Sequence, residues 1–129
     1  MKKYSILFVE DDRQLSELAG LNFLKHQFTF RPCYNGPEAL KEVSKERPDI
    51  IILDVMMPSM TGWEVLQKLK SQPETSSIPV IICTGRDGRE DVEKSFNFGA
   101  QAYIIKPIVF ANLLKKVAAV LDIEELLHE

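Results

Sequence analysis

Cysteine is nearly absent from this 129-residue chain: only Cys33 and Cys83 occur, with no Cys-x-x-Cys pair. That argues against a disulfide framework and a zinc knuckle and leaves both thiols as packing residues. A bond between the two is not expected, because the strands that carry them are not neighbours in the order derived below. Long apolar runs are missing as well. No stretch approaches the ~20 residues needed to cross a bilayer, and the apolar part of "MKKYSILFVE" is too short for a secretory leader. The expectation is a cytoplasmic protein without a membrane partner. Basic residues are not in excess: the formal net charge is −3, which argues against direct nucleic-acid binding. His26 and His128 stand alone, with no second ligand at metal spacing. The remaining balance, 45% hydrophobic and 27% charged, is that of an ordinary globular chain of one domain over 1–129.

Five short apolar runs stand out: "SILFV" (5–9), "FTFRPCY" (28–34), "IIIL" (50–53), "PVIIC" (79–83) and "AYII" (102–105). The first, third and fourth are almost unbroken, the pattern of parallel strands covered on both faces. Between them apolar residues recur at helical spacing. Leu15, Leu18, Ala19 and Phe23 form one set, Ala39, Leu40 and Val43 a second, and Val65, Leu66 and Leu69 a third. Val92 with Phe96 makes a weaker fourth, and Phe110, Leu113, Leu114, Val117, Ala118 and Leu121 the clearest. Pro37 marks a helix start, "ERPD" a stop, and Gly99 a C-terminal cap. Strand and helix alternating five times predict an α/β fold. The expected form is a doubly wound, flavodoxin-like five-stranded parallel sheet, strand order 2-1-3-4-5, with helices on both faces.

In such sheets ligands bind beyond the carboxyl ends of the strands. The first strand ends in Glu10, Asp11 and Asp12, the third in Asp54, the fourth in Thr84-Gly85 and the fifth in Lys106-Pro107. In the expected order the first and third strands are neighbours, so several carboxylates converge. Two such charges about 4 Å apart repel by roughly 4 kcal/mol at an effective dielectric of 20. The cluster therefore needs a proton, a cation or a lysine. All-oxygen ligands favour a hard divalent ion, with Mg²⁺ the leading candidate. Carboxylate, metal, ammonium and hydroxyl together suit a phosphoryl group, with Asp54 as nucleophile. Each residue also has a plainer reading. Asp12 serves equally well as the cap of the first helix, Thr84 as a β-branched strand end, and Lys106 as an exposed lysine. Asp54 cannot cap the third helix, which begins only near Gly62.

At "VEDD", "PDIIILDVMMPSMTG", "VIICTG" and "GAQAYIIKP" the chain resembles the receiver domain of two-component response regulators, over essentially its whole length. The resemblance implies a phosphoprotein of a phosphorelay, with Asp54 taking a phosphoryl group from a histidine kinase or a histidine phosphotransfer protein. It implies Mg²⁺, or Mn²⁺ in its place, on Glu10, Asp11, Asp54 and the backbone carbonyl of Met56, with Glu10 acting through water. Thr84, Lys106 and the backbone amides of Val55 and Gly85 would hold phosphoryl oxygens. It also implies a cis Lys106–Pro107 bond. Thr84 and Tyr103 would form a switch: as Thr84 turns to the phosphoryl, Tyr103 swings inward and the face of the fourth helix, fifth strand and last helix changes. That face would meet a downstream protein or an output domain absent from this chain, the chain itself being a monomer or a weak dimer through it. A receiver catalyses only its own phosphorylation and dephosphorylation and is not a classical enzyme.

Departures from the family pattern are small. Thr61 stands where an acid is common and Cys33 where a small residue is common. Met56 and Arg86 occupy positions that the family uses to tune hydrolysis of the acyl phosphate, and an apolar Met56 predicts a longer-lived one. Trp63 reads as a partly exposed packing residue. The tail "LDIEELLHE" continues the apolar periodicity through Leu126 and Leu127, compatible with a dimer helix or a linker. Among alternatives, an aspartyl phosphatase would carry its nucleophile on the first strand. A nucleotide carrier would need a Gly/Ser/Thr-rich loop where "EDDRQ" stands. The remaining alternative is a phosphorylation-independent interaction module of the same fold.

Overall fold

The computed structural model describes residues 3–128, without the side chains of Leu126 and His128, so the expectations for those two lie outside the described residues. Strands β1 (Tyr4–Val9), β2 (Phe28–Cys33), β3 (Ile50–Leu53), β4 (Val80–Thr84) and β5 (Ala102–Ile105) form one parallel sheet in the order β2-β1-β3-β4-β5. Helices α1 (Arg13–Leu24), α2 (Gly36–Lys45), α3 (Gly62–Lys70), α4 (Arg89–Asn97) and α5 (Phe110–Leu121) connect and follow them. This is the flavodoxin-like α/β arrangement expected from the sequence.

Alternation along the strands divides the core in two. Leu7, Val9, Ile51, Leu53 and Ile82 point toward α2 and α3, where they meet Ala39, Val65 and Leu66. Ile6, Phe8, Ile50, Ile52 and Ile81 point the other way, onto Phe23 of α1 and Leu113 and Val117 of α5. Because helices cover both faces, β1, β3 and β4 show no polar alternation, and each fully buried Ile or Leu contributes roughly 1.5–3 kcal/mol.

The helix starts follow their caps. Asp12 accepts from the amides of Gln14 and Leu15, Asn35 from that of Glu38, and Thr61 forms a capping box with Glu64. Gly99, just after α4, adopts φ +105, the conformation that makes glycine the usual residue there.

Three helical expectations need correction. On α1, Leu18 is 59% exposed while Ser16 is buried beside Ala19 and Phe23. On α4 the buried residue is Ser95, and Phe96 is 47% exposed. Finally, the tail does not prolong α5. Asp122 enters the left-handed region (φ 58, ψ 49), Ile123 returns to the core, and a 3-10 turn over Glu124–His128 follows. Leu127 packs on the α1–α5 side of the sheet, so Ile123 and Leu127 are both used within the fold.

Candidate functional site

Strand register builds the site. Val9 pairs with Leu53, so the next residues, Glu10 and Asp54, leave adjacent strands side by side, with the Asp54 amide donating to the Val9 carbonyl at 3.0 Å. Thr84 pairs with Ile105, and the Lys106 amide donates to the Thr84 carbonyl at 2.8 Å. Four strand ends thus deliver Glu10, Asp54, Thr84 and Lys106 to one edge. The Lys106–Pro107 bond is cis.

The three acids at the end of β1 divide their tasks. Asp12 is the helix cap, its side chain committed to α1. Asp11 is exposed, whereas Glu10 is 3% exposed and Asp54 4%. Glu10, Asp11 and Asp54 each offer a carboxylate oxygen, and these oxygens lie within 4.8 Å of one another. A buried carboxylate pair requires compensation, and Lys106 supplies it. Its Nζ donates to Asp54 Oδ2 at 3.0 Å and to Glu10 Oε1. Asp54 Oδ1 accepts from the Met56 amide at 3.1 Å, and Glu10 Oε2 from the Asp12 amide at 3.1 Å.

Charge states follow from this packing. Burial pushes the Glu10 carboxyl up to about 7, against the opposing pull of Lys106. Burial alone would lower the Lys106 ammonium; its bonds to Glu10 and Asp54 more than reverse that and leave it raised. Burial likewise raises Cys33 and Cys83 to about 12, which makes both unreactive packing thiols.

Two observations bear on what the site can hold. The cluster of three carboxylates offers only hard oxygen donors, and one of them is open to solvent, which suits a divalent ion that keeps part of its water shell. Thr84 Oγ1 is buried and has no hydrogen-bond partner among the described residues. A buried hydroxyl left unpaired costs free energy, and a ligand oxygen at the strand ends would relieve it. The acidic cluster is therefore placed for metal-assisted phosphoryl transfer.

The remaining expected residues lie around this centre. Gly85 is exposed, and no atom lies within 4 Å of where its Cβ would be. Val55 is buried, its carbonyl accepting from the amides of Met57 and Gly62. Tyr103 is half-buried, and its hydroxyl donates to the Arg86 carbonyl at 2.7 Å. Met56 is 55% exposed, and Arg86 Nη1 reaches its sulfur at 3.4 Å. Trp63 is half-buried as expected, but its Nε1 also donates to Ser95 Oγ at 2.9 Å. Asp91, which holds Arg86 Nε at 3.1 Å, is not among the residues the sequence singles out. Its sole sequence signal is an acid in the first turn of a helix, which the helix dipole explains by itself.

A family model described as the response regulator receiver domain matches residues 6–118. The response regulator PleD of Caulobacter vibrioides is 38% identical over 112 residues, which are 87% of this chain and 25% of that protein. The sensory transduction protein RegX3 of Mycolicibacterium smegmatis is 35% identical over 117 residues, 91% of this chain and 50% of that protein. The chain thus spans half or less of these two curated relatives. Among solved structures, the signal receiver domain of a signal transduction histidine kinase from Syntrophus aciditrophicus is 35% identical. It superposes with a TM-score of 0.85 over 92% of this chain and 90% of that one. The chemotaxis protein CheY4 of Vibrio cholerae is 27% identical, with a TM-score of 0.87 over 92% and 99% of the two chains.

Proposed function

Because the chain belongs to the response regulator receiver family, we propose that Asp54 is the phosphoacceptor and that the donor is a phosphohistidine on a kinase or phosphotransfer protein. The observation that carries this is the convergence of Glu10, Asp11, Asp54 and Lys106 beside the unpartnered Thr84 hydroxyl. The family's chemistry is confined to its own phosphorylation and dephosphorylation.

Transfer requires Asp54 to be an anion aimed outward, and two bonds orient it: Lys106 Nζ on one oxygen and the Met56 amide on the other. A carboxylate oxygen of Asp54 attacks phosphorus, and the phosphorus–nitrogen bond of the donor breaks. Its electron pair stays on the imidazole, and Asp54 becomes an acyl phosphate. Charge then builds on the phosphoryl oxygens, where the Lys106 ammonium, the Thr84 hydroxyl and the amides of Val55 and Gly85 would receive it. Glu10, Asp11, Asp54 and the Met56 carbonyl would hold the divalent ion, Mg²⁺ or Mn²⁺. When bound, that ion supplies fixed positive charge for the phosphoryl oxygens.

The proposed output follows from Thr84 and Tyr103. Engagement of Thr84 by the phosphoryl group would shift Tyr103 off the Arg86 carbonyl and alter the α4–β5–α5 face. Phe96 and Ile105, each 47% exposed, already present apolar surface there. We assign that face to a downstream protein, to an output domain or to a weak dimer. No described helix is long and apolar enough to cross a membrane.

The test is intact-protein mass after incubation with a small-molecule phosphodonor, with and without Mg²⁺, beside Asp54→Asn. The expected result is one phosphoryl adduct that needs Mg²⁺ and is lost in the variant. An adduct of equal yield in Asp54→Asn would refute the assignment.

A further inference from the structure

The loop between β4 and α4 carries a contact network that phosphoryl transfer itself does not require. Arg86 lies across a cleft of about 400 Å³ whose walls include Met56, Thr61 and Trp63. Its Nε and Nη2 reach Asp91 Oδ2 and Oδ1 at 3.1 and 3.3 Å. The other nitrogen, Nη1, rests 3.4 Å from the Met56 sulfur, and the guanidinium carbon is 5.5 Å from the Trp63 ring centre. Met56 in turn is the residue whose amide holds Asp54 Oδ1. The guanidinium therefore bridges the first turn of α4 and, at Met56, the loop that follows β3 and holds Asp54 Oδ1.

Asp91 is itself anchored. Its carbonyl accepts from Ser95 Oγ at 3.0 Å, and Ser95 Oγ accepts from Trp63 Nε1 at 2.9 Å. Ser95 is fully buried, so this strut between α3 and α4 is shielded from water. An arginine side chain free in solvent samples many rotamers. One tied by a two-pronged ion pair to a carboxylate carried on a fixed helix backbone is confined to fewer.

We propose that Asp91 is a positioning residue that sets the lifetime of the acyl phosphate, by holding the Arg86 side chain against Met56 and so covering the solvent approach to Asp54. The proposal rests on Asp54 being the phosphoacceptor. The step it slows is hydrolysis. The oxygen of a water molecule bonds to phosphorus, the bond from phosphorus to the Asp54 oxygen breaks, and its electron pair returns to the carboxylate. The proton that water sheds leaves with the inorganic phosphate. Water must reach the phosphorus for any of this to happen, and a guanidinium packed on a thioether narrows its path. Since Asp91 lies on α4 and the Arg86 carbonyl holds the Tyr103 hydroxyl, the lifetime is also linked to the α4–β5 face. The ion pair is partly exposed, with 41% of the Arg86 side chain and 20% of the Asp91 side chain accessible. Its effect is accordingly bounded at about two- to fivefold in rate.

The full chain is loaded with phosphoramidate in Mg²⁺, the donor is removed, and decay of the adduct is followed by intact mass. Asp91→Asn and Arg86→Ala are each expected to shorten the half-life by about two- to fivefold, the range open to such a pair. Arg86→Ala/Asp91→Asn should decay no faster than Arg86→Ala alone, because Asp91 acts only through Arg86. Asp91→Glu, which keeps the charge, should recover most of the wild-type lifetime. Decay of Asp91→Asn at the wild-type rate, or effects that multiply in the double variant, would overturn the proposal while leaving Asp54 as acceptor. A wild-type chain that takes no phosphoryl group would instead refute the acceptor assignment and the proposal together.

Discussion

Gly62→Ala tests whether the position of Asp54, the proposed acceptor, depends on a close approach of helix and strand. Gly62 opens α3, and its amide donates to the Val55 carbonyl at 3.0 Å. A Cβ there would stand 2.2 Å from the Asp54 carbonyl oxygen and 2.8 Å from both the Asp54 carbonyl carbon and the Val55 Cα. These are backbone atoms between two hydrogen-bonded elements, so no side chain can rotate away. Relief to the 3.4 Å at which ordinary contact begins requires about 1 Å of backbone movement. Overpacking of this kind costs about 1–3 kcal/mol, and weakening the Gly62–Val55 bond adds about 1 kcal/mol. Alanine's better helix propensity returns at most about 1 kcal/mol. The net expectation is a loss of about 1–3 kcal/mol, which moves a urea midpoint down by roughly 0.5–2 M. Because the displaced atoms belong to Asp54, phosphorylation by a small donor should also slow, by up to about a hundredfold for a 1 Å misplacement. Gly85→Ala is the control: it meets nothing within 4 Å and should stay within about 0.5 kcal/mol of wild type. A Gly62→Ala midpoint as close to wild type as that of Gly85→Ala would refute the reasoning.

Two further expectations concern titration and reactivity. Glu10 is raised from its usual 4.5 to about 7 by burial, so the metal-free native state holds that proton more tightly than the unfolded chain. That contribution to stability is fully present below about 4.5 and is lost as pH rises through about 7. Chemical denaturation at pH 5 and pH 8 should show a larger fall for the metal-free wild type than for Glu10→Gln; equal falls would contradict it. Cys33 and Cys83 are buried, with thiols pushed up to about 12. The native chain should resist a thiol reagent at pH 8 and react at both positions once unfolded; fast labelling of the native chain would show that the core opens.

Legibility in the sequence varied with how far a residue's surroundings are set by its own segment. Strands β1, β3 and β4 read directly, because burial on both faces leaves nearly unbroken apolar runs. The acids and the lysine read because each ends a strand, and all strand ends of a parallel sheet share one edge. Helix faces read less well. Periodicity shows that Leu18 and Phe96 lie on an apolar stripe, but not that the sheet passes to one side of it and leaves them exposed. Ser16 and Ser95 are buried against that pattern, Ser95 because its hydroxyl is used by Trp63 and the Asp91 carbonyl. The break after α5 was hidden for a different reason. Asp122 tolerates the left-handed conformation that ends the helix, while Ile123 and Leu127 keep the apolar rhythm going into a different element. The Arg86–Asp91 pair and the Trp63–Ser95 bond join residues through loop conformation and helix docking, and no spacing rule anticipates them.

Strand β3 is wholly apolar, yet the buried Asp54 carboxylate follows it directly, and what that strand end can do depends on which cation meets the acid. Asp54 and Glu10 emerge side by side from adjacent strands, and two buried carboxylates cannot both stay charged without compensation. In the structure the compensation is internal: one ammonium, Lys106, bridges the pair. That arrangement makes the lysine a competitor of any divalent ion for Glu10 and Asp54, and also, on the proposed reading, a partner of the incoming phosphoryl group. Both demands are compatible only because Lys106 directly follows β5, on the far side of β4 from the acids, and reaches them along a flexible stem. An arginine there would keep the charge, but its planar fork would not provide the compact ammonium that now bridges Glu10 and Asp54. The strand order therefore does more than gather like charges: it places their neutralising charge on a separate strand, where it can change partners without moving the sheet.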